Sequence, residues 1–349
     1  MSFVRFVPDD FVVSSDAVSA TAWTTGNPTL NAFYTSSTQF NGSSGDYYIN
    51  VYDTATTSSV QFAIAYGNLA GSGSANYNNM VDGKSPTSTI YGQYQDLVLG
   101  DENTDFIFGT ITSSQFFALS IERQCYKESI FLGSMTLLLS GSSGSISLTD
   151  NSNYVTSVTY TGGGTRVFQL ISGSAGNRAT ITSRNTSEGY SANSGSYGWL
   201  LPDIGTILLN HLALADFAVI GGIGLQYSGS ATASAAPNIS PNTSLFKAIS
   251  GSSAPNTGSF TLNSQETITS DFVFVRPRSS EFNYSENPSF ISGSTGEVLY
   301  SDFINNPQTY ITTIGLYNDT NQLLAVAKLS RPLPKNFTKE ALVRVKLDF

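Results

Sequence analysis

Residues 310–349 read YITTIGLYNDTNQLLAVAKLSRPLPKNFTKEALVRVKLDF and hold the clearest structural pattern in the chain. Two apolar runs, Ile311–Tyr317 and Leu323–Leu329, flank Asn318–Asn321, whose residue types tolerate the left-handed backbone of a tight reversal. This arrangement predicts a β-hairpin. The prolines of Arg331–Pro334 lack the N–H group that a central ladder needs, so we expect the chain to leave the sheet there.

The last seven residues alternate strictly between apolar and charged side chains, as in a strand with one buried face. The apolar positions are Val343, Val345, Leu347 and Phe349, and the charged positions are Arg344, Lys346 and Asp348. We therefore expect this end of the chain to be tied into a sheet.

This terminal stretch is basic, although the chain as a whole is acidic. From Thr320 to Phe349 six basic residues stand against two acidic ones, a balance of +4. The whole chain has 16 basic and 25 acidic residues, so residues 1–319 hold 10 and 23, a balance of −13. Such a run is often just a solvated face, and the alternative is a surface that docks on an acidic neighbour.

The composition favours strands over helices. Only 12% of the residues are charged and 31 are glycine, while Ser, Thr and Asn separate β-branched and aromatic runs. The hydrophobic content of 40% is too high for a disordered chain. These features predict an all-β protein built of β-sandwich-like modules, with few short helices and long polar loops.

The length of 349 residues suits one large domain or two to three ordinary ones. We predict a β-rich body at 1–227, a Ser/Ala/Pro-rich linker or arm at 228–259, and a C-terminal β module at 260–349. The polar stretches Ser172–Ser196 and Ser228–Pro255 are long for connections inside a compact domain, so we expect them to order against neighbouring subunits.

Four local patterns give more detailed predictions. Leu97–Leu99 is interpreted as a strand, and Asp16–Val18 and Thr29–Tyr34 as two candidate starts for at most one short helix. The apolar run Ile207–Leu214 fits either a buried strand or a short core helix, because periodicity alone does not separate the two.

The net charge, the lengths of the apolar runs and the cysteine count argue against several classes of protein. An acidic chain is a poor nucleic-acid binder, since neutralising phosphates requires a basic surface. The first ten residues, MSFVRFVPDD, contain no apolar segment typical of a signal peptide, and no apolar run reaches the roughly 18 residues of a membrane span. The single cysteine excludes an intramolecular disulfide. We expect a soluble protein from a reducing compartment, without membrane insertion.

Reactive groups are sparse. His211 is the only histidine and has no G-x-S-x-G nucleophile context, and Cys125 has no histidine near it in sequence. Zinc ligands are too few, and no calcium-loop pattern is present. The acidic turn with Asp101, Glu102 and Asp105 leaves a glycosidase-type carboxylate pair as the remaining enzymatic alternative. We predict no catalytic residue, no metal site and no cofactor.

Two C-terminal passages resemble a family of virion structural proteins from contractile-tailed bacteriophages, including those of marine cyanobacteria. They are FVFVRPRSSEFNYSENPSF at Phe272–Phe290 and the run from Asn306 to Phe349. Their marks are Glu281–Tyr284, Tyr310–Tyr317, Leu324–Ala327 and Lys339–Ala341. SPTSTIYGQYQDLVLGDENTDFIFG from Ser85 and LPDIGTILLN from Leu201 are similar to the same family.

The resemblance implies a tail or baseplate component that acts through subunit contacts and has no catalytic residues. Other tail or baseplate proteins and further copies in a symmetric homo-oligomer would be its partners, in the virion tail after assembly in the host cytoplasm. Alternatives are a receptor- or glycan-binding tail protein, a neck or capsid decoration protein, and a polysaccharide-degrading enzyme. As interface residues we expect Arg276, Arg278, Phe282, Tyr284, Arg331, Lys335, Arg344, Lys346 and Phe349.

Overall fold

The protein folds into two compact units. The structure, a computed structural model, describes residues 4–35, 48–54, 58–71, 85–179, 197–215, 222–225, 241–251, 258–285 and 287–348. The large unit is Val18–Glu266, and the small unit combines Met1–Ala17 with Thr267–Phe349. The division falls inside two strands, β1 (Phe11–Thr21) and β17 (Asn263–Val275).

These units differ from the predicted domains in two respects. The amino-terminal residues Met1–Ala17 group with the C-terminal segment, because β1 pairs with β17 in one sheet. The predicted linker at 228–259 also contains a helix, Pro241–Ser250, whose buried residues belong to the core of the large unit. Much of that linker, and residues 180–196 of the predicted loop Ser172–Ser196, lie outside the described residues.

One antiparallel sheet dominates the large unit. Its strand order is β2–β16–β9–β10–β12–β14–β15–β7–β4–β3, with β11 and β13 each pairing with β12. The strands are β2 (Thr29–Leu30), β3 (Tyr48–Tyr52), β4 (Val60–Asn68), β7 (Gln115–Ile121), β9 (Thr136–Gly141), β10 (Gly144–Asp150), β11 (Thr159–Tyr160), β12 (Arg166–Ser174), β13 (Asn177–Arg178), β14 (Gly198–Leu201), β15 (Thr206–Asn210) and β16 (Ser259–Thr261).

The sheet curls until its two ends meet around the core. At one end Leu30 of β2 pairs with Phe260, and only four residues later Tyr34 reaches the other end. Tyr34 and Tyr52 of β3 exchange two backbone hydrogen bonds of 2.9 and 3.0 Å. The main core therefore lies between opposite parts of a single sheet.

Both faces of the central strands are buried. On β7, Phe117 and Leu119 point into the main core, whereas Phe116 and Ala118 belong to a second apolar cluster on the other face. The second cluster is covered by α1 (Pro86–Tyr94), the π-helical segment Gln95–Leu99 and the hairpin of β5 (Phe106–Phe108) and β6 (Ile111–Ser113). Near-continuous apolar strands are the sequence signature of such double burial.

The other helices of the large unit are short. α2 (His211–Ala215) directly follows β15, so the ambiguous run Ile207–Leu214 is a strand and then a helix. α3 (Pro241–Ser250) packs against β9 and β16 near one end of the sheet and against β3 and β4 at the other. Its residues Leu245, Ala248 and Ile249 fill the space that the curled sheet encloses.

Two local predictions need correction. Leu97–Leu99 is π-helical rather than a strand, because it continues from α1 and ends at Gly100, whose φ of +70° closes the turn. The short helix predicted at Asp16–Val18 or Thr29–Tyr34 is also wrong, because Asp16–Val18 lies within β1 and Thr29–Leu30 forms β2. Thr29 and Leu30 pair with β16, so tertiary pairing prevails over the helix-start signal of Pro28.

The small unit packs a sheet against a hairpin. The sheet has the order β1–β17–β20, with β20 at Val343–Asp348, and the hairpin joins β18 (Gln308–Tyr317) to β19 (Leu323–Asn336). A short helix, α4, spans Ser301–Asn305. β8 (Ser129–Ile130), in the large unit, pairs with the first residues of β17. The buried apolar residues between sheet and hairpin are Val273, Ile314, Leu316 and Val345.

The C-terminal sequence patterns are confirmed with one exception. The hairpin reverses at Asn318–Gln322, where Asn321 has a φ of +61°, and Val343–Asp348 alternates between inward and outward side chains. The prolines do not end the strand, because Pro334 still pairs with Tyr310. A two-stranded hairpin has only edge strands, so a missing N–H is tolerated, and the register shifts between Ile311 and Thr313 accommodate the irregularity.

Strands make up 47% of the structure and helices 17%. The predicted all-β class with few short helices is confirmed.

Candidate interface of the small unit

Large exposed apolar side chains are concentrated in the small unit. Seventeen of the 27 such side chains lie among its 95 described residues, and ten lie among the 177 described residues of the large unit. Buried apolar residues show the opposite distribution, with five in the small unit and 45 in the large one. The small unit therefore leaves about three times the density of large apolar side chains in water.

The hairpin accounts for one part of this exposure. Ile314 and Leu316 of β18 face the core of the small unit, so the residues between and beside them face outward. On that outer face the rings and methyl groups of Tyr317 and Leu323 lie over Gly315, where a Cβ would come within 2.8 Å of the Tyr317 ring. Leu324 is 68% exposed and Val326 is 58% exposed. Below, "the hairpin face" means Gly315, Tyr317, Leu323, Leu324 and Val326.

The sequence signal for this face was present in Leu323–Ala327, a run of five apolar residues. A strand alternates its side chains between two faces, so such a run in a two-stranded hairpin must expose about half of its members. Ala325 and Ala327 pack toward the core, and the larger Leu324 and Val326 face solvent. Of this run, sequence reasoning proposed no residue as an interface candidate.

The predicted cations of β20 lie on the exposed face of that strand. The guanidinium of Arg344 sits 5.1 Å above the ring of Phe272 on the neighbouring strand β17. Lys346 Nζ lies 2.8 Å from Asp348 Oδ1, which also accepts a 2.6 Å hydrogen bond from Ser270 Oγ. The hydrogen bonds from Lys346 and Ser270 lower the pKa of Asp348. Two cations and one carboxylate thus stand side by side on an open strand.

The residues that follow β17 are also exposed. The side chains of Arg276 and Glu340 approach to 3.7 Å in solvent, where such a pair contributes little stability. Arg278 is exposed, and its backbone N–H donates to Glu281 Oε2 at 2.9 Å. Phe282 and Tyr284 are both exposed apolar side chains, and Phe282 has a φ of +54°. An L-residue in that backbone region is uncommon and marks a sharply turned loop.

The prediction that Lys335 is an interface residue is wrong. This residue is only 1% exposed, so it is not available to a neighbouring subunit. Its Nζ donates to Asn283 Oδ1 at 2.8 Å and to the carbonyl of Ser279 at 3.3 Å. Burial lowers the pKa of Lys335, and the nearby carboxylates of Glu281 and Glu340 partly oppose that shift. The alternation of strand β19 cannot reveal this, because residues far away in sequence cover the side chain.

Arg331 is exposed on β19, as an interface residue must be. Phe349 lies outside the described residues.

The two reactive side chains singled out by sequence, His211 and Cys125, are both buried. His211 is buried against the rings of Tyr66 and Phe117, and burial lowers its pKa to about 4. Cys125 is buried, and its burial, with a smaller contribution from Glu122, raises the thiol pKa to about 11. A thiol of that pKa is not a nucleophile at neutral pH.

The carboxylate of Asp101 in the acidic turn is hydrogen-bonded to residues of the same turn. The carboxylate of Asp101 accepts hydrogen bonds from the backbone N–H of Asn103 at 3.0 Å and the hydroxyl of Thr104 at 2.9 Å. These bonds lower the pKa of Asp101, the reverse of what a general acid requires. Within the described ranges, no group of three or more His, Cys, Asp or Glu side chains could hold a metal ion.

A recess of about 600 Å³ lies beside α1. Its lining is neutral and includes Tyr48, Gln93, Tyr94 and Ser120, and Tyr94 Oη lies 2.8 Å from Ser120 Oγ. A pair of catalytic carboxylates is absent from this lining.

No protein family, curated protein or solved structure matches this chain. In the part of the chain that the structure describes, no helix combines the length and the apolar character needed to cross a bilayer.

Proposed function

We propose that this protein is a structural component of a bacteriophage contractile tail, located in the baseplate, and that it works through contacts between subunits. The C-terminal passages that resemble the virion family, Phe272–Phe290 and Asn306–Phe349, lie in the small unit. The same unit holds the excess of exposed apolar side chains.

The single observation that carries the proposal is this uneven exposure. A unit with five buried apolar residues and seventeen exposed large ones has little core of its own and much apolar surface in water. Burying apolar surface stabilises a protein by roughly 25 cal/mol per Å², so association with a neighbour gives such a unit stability that it lacks alone. Subunits of symmetric assemblies gain stability in this way.

Charge supports the same conclusion. The large unit contains 7 basic and 14 acidic residues, and the small unit contains 9 and 11. Arg344 and Lys346 on β20 and the exposed Arg276 and Arg278 therefore present positive charge within an acidic protein. Such a patch fits the acidic surface of another virion protein or of the large unit of another copy, and complementary charge fixes the register of a contact.

The test is the double reversal Arg344→Glu and Lys346→Glu, produced in the phage that encodes the protein. We expect the protein to disappear from purified tails, measured by quantitative mass spectrometry, because two attractive contacts become repulsive. The free subunit should stay folded by circular dichroism, since both side chains are exposed.

A matched control is the double reversal Arg178→Glu and Lys247→Glu, which changes the net charge equally on exposed residues of the large unit. This control should enter tails normally. Normal incorporation of the β20 variant would refute its role in docking, and absence of the wild-type protein from purified tails would refute the tail assignment itself.

Position within the virion separates the baseplate from the neck and the capsid surface. Electron microscopy of particles carrying a labelled tag on this protein should show density at the distal end of the tail. Density at the neck or on the capsid would favour the neck or decoration alternative.

Glycan binding is a second candidate, supported by the neutral recess beside α1. Tyr48 and Tyr94 offer aromatic surface there, and Gln93 offers hydrogen-bonding groups. Trp23 and Trp199, the strongest stacking side chains, are both buried and cannot serve this role. A glycan array with wild-type protein and a Tyr48→Ala variant tests this candidate, which requires binding that the substitution abolishes.

A further inference from the structure

Strand β18 forms an open sheet edge that carries no charge. Its ten residues, QTYITTIGLY at Gln308–Tyr317, include neither a charged side chain nor a proline. Among the described residues it pairs only with β19, so its other edge is unoccupied by any strand. Tyr310, Thr312, Thr313, Gly315 and Tyr317 are all exposed. Proteins usually protect a long edge strand with charges, prolines or bulges, because an open edge invites another strand.

The other long edge strands of the described structure have such protection. β1 contains Asp16, β19 contains Lys328, Arg331, Pro332 and Pro334, and β20 contains Arg344, Lys346 and Asp348. β3 has no charge, but it is only five residues long and Tyr34 bridges its last residue. Among these long edge strands, β18 is therefore the one with neither a charge nor a proline, and its only irregularities are the register shifts of its pairing with β19 between Ile311 and Thr313 and between Leu316 and Tyr317.

We propose that β18 of one copy pairs antiparallel with β18 of a second copy. The two hairpins then form one four-stranded sheet in the order β19–β18–β18–β19. Main-chain hydrogen bonds across the new seam supply affinity, as they do when a peptide strand is added to a sheet. The contact is isologous, since the same strand is used by both partners.

The chemistry of the strand selects a second copy as the occupant. Self-pairing brings no like charges together, although the chain has a net charge of −9, because β18 itself is neutral. Its threonines, isoleucines and tyrosines are the residues that form favourable cross-strand pairs. Pairing also joins the hairpin faces of the two copies into one continuous apolar surface. A tail assembly then has a larger surface to bury against its next neighbour.

This pairing adds a specific contact to the proposed function. Only its role within a tail rests on that function. Different experimental results would refute the self-pairing and the tail role. A protein that is monomeric by itself yet present in tails would contradict self-pairing alone, whereas a β18-paired dimer that is absent from tails would contradict the tail role alone.

The experiment uses the purified full-length chain and two charge variants at the middle of β18. The first carries Thr312→Glu and Thr313→Glu, and the second carries Thr312→Lys and Thr313→Lys. Size-exclusion chromatography with light scattering should show a dimer or larger species for the wild type. Each variant alone should dissociate at least about tenfold more readily, because like charges face each other across the seam. An equimolar mixture of the two variants should associate again.

The matched control is Ser330→Glu, which adds one carboxylate at an exposed position on the protected strand β19. It should leave the mass unchanged. Hydrogen exchange gives a second measurement that does not depend on the variants. Amides of Gln308–Tyr317 in the wild type should become more protected as concentration rises.

A monomeric wild type at tens of micromolar, or charge variants that keep the wild-type mass, would overturn the proposal. So would association of the wild type without added protection of β18.

Discussion

The two units of this protein bury their apolar side chains in opposite proportions. The large unit has 45 buried apolar residues, nearly all of them in the clusters on the two faces of a curled sheet, whereas the small unit has five, four of which lie between a sheet and a hairpin. The large unit resembles a self-sufficient domain in this respect. The small unit resembles half of an interface, since nearly half of its described large apolar side chains are exposed to solvent.

This difference fits the proposed function, in which the large unit supplies a stable core and the small unit binds a neighbouring subunit. Substitutions in each unit can test this contrast.

The strongest test compares two phenylalanines. Phe62 is fully buried, with its ring 5.5 Å from that of Phe260 and 6.1 Å from that of Trp23. Phe62→Ala should lower the free energy of unfolding by about 4 kcal/mol, because it removes a large buried ring and leaves a cavity. Tryptophan fluorescence in a denaturant titration measures this directly, since Trp23 and Trp199 both lie in the large unit.

The control is Phe337→Ala in the small unit, where the ring is 53% exposed. It should change the unfolding free energy by less than about 0.5 kcal/mol. Equal losses for the two variants would break the contrast between the units.

A second effect follows from the only histidine. The folded pKa of His211 is about 4 and its ordinary value is 6.5, so the unfolded chain binds more protons between those values. Stability is therefore fully present above pH 6.5 and falls as the pH drops toward 4. From pH 7 to pH 4.5 we expect a loss of about 2 kcal/mol in the large unit.

Denaturant titrations at several pH values, followed by tryptophan fluorescence, measure this slope. His211→Asn should flatten it between pH 7 and 5, where few other groups titrate. An unchanged slope in that variant would show that another group is responsible.

The small unit has one buried polar contact whose loss should be measurable. Asn283 holds the Lys335 ammonium at 2.8 Å and donates to the carbonyl of Ser279 at 2.6 Å. Asn283→Ala should destabilise the small unit by about 2 kcal/mol, because a buried ammonium loses its side-chain partner. Hydrogen exchange of the amides in β18–β20 is the appropriate measurement, and Asn306→Ala, at an exposed position, is the control.

The smallest effect on stability should come from the hairpin face. Leu324→Ser with Val326→Ser should change the free energy of unfolding by less than about 0.5 kcal/mol, since both side chains already face water. The same variant should weaken association between subunits, measured by light scattering across a concentration series. Strong destabilisation without any change in association would mean that these residues serve the fold and not an interface.

The candidate interface was only partly accessible to sequence reasoning. Arg344 and Lys346 were found because a strict alternation places them opposite Val343 and Val345, and a period of two needs no knowledge of distant residues. The charge census could not show that Lys335 lies buried beside Asn283. The outward position of Leu324 was missed because, in a strand made only of apolar residues, either set of alternate side chains could face the core.

The amino-acid sequence alone was enough to predict the all-β class, the hairpin between β18 and β19 and the alternation of β20. Each of these depends on residues that are neighbours along the chain. Three features could be seen only in the folded chain: the sheet closes through Tyr34 and Tyr52, β1 joins the C-terminal strands, and Arg331–Pro334 stays within β19. Those outcomes depend on strand pairing between distant segments and on which strand lies at an edge. Local periodicity carries no information about either, because the free energy that selects them comes from contacts made only after the chain has folded.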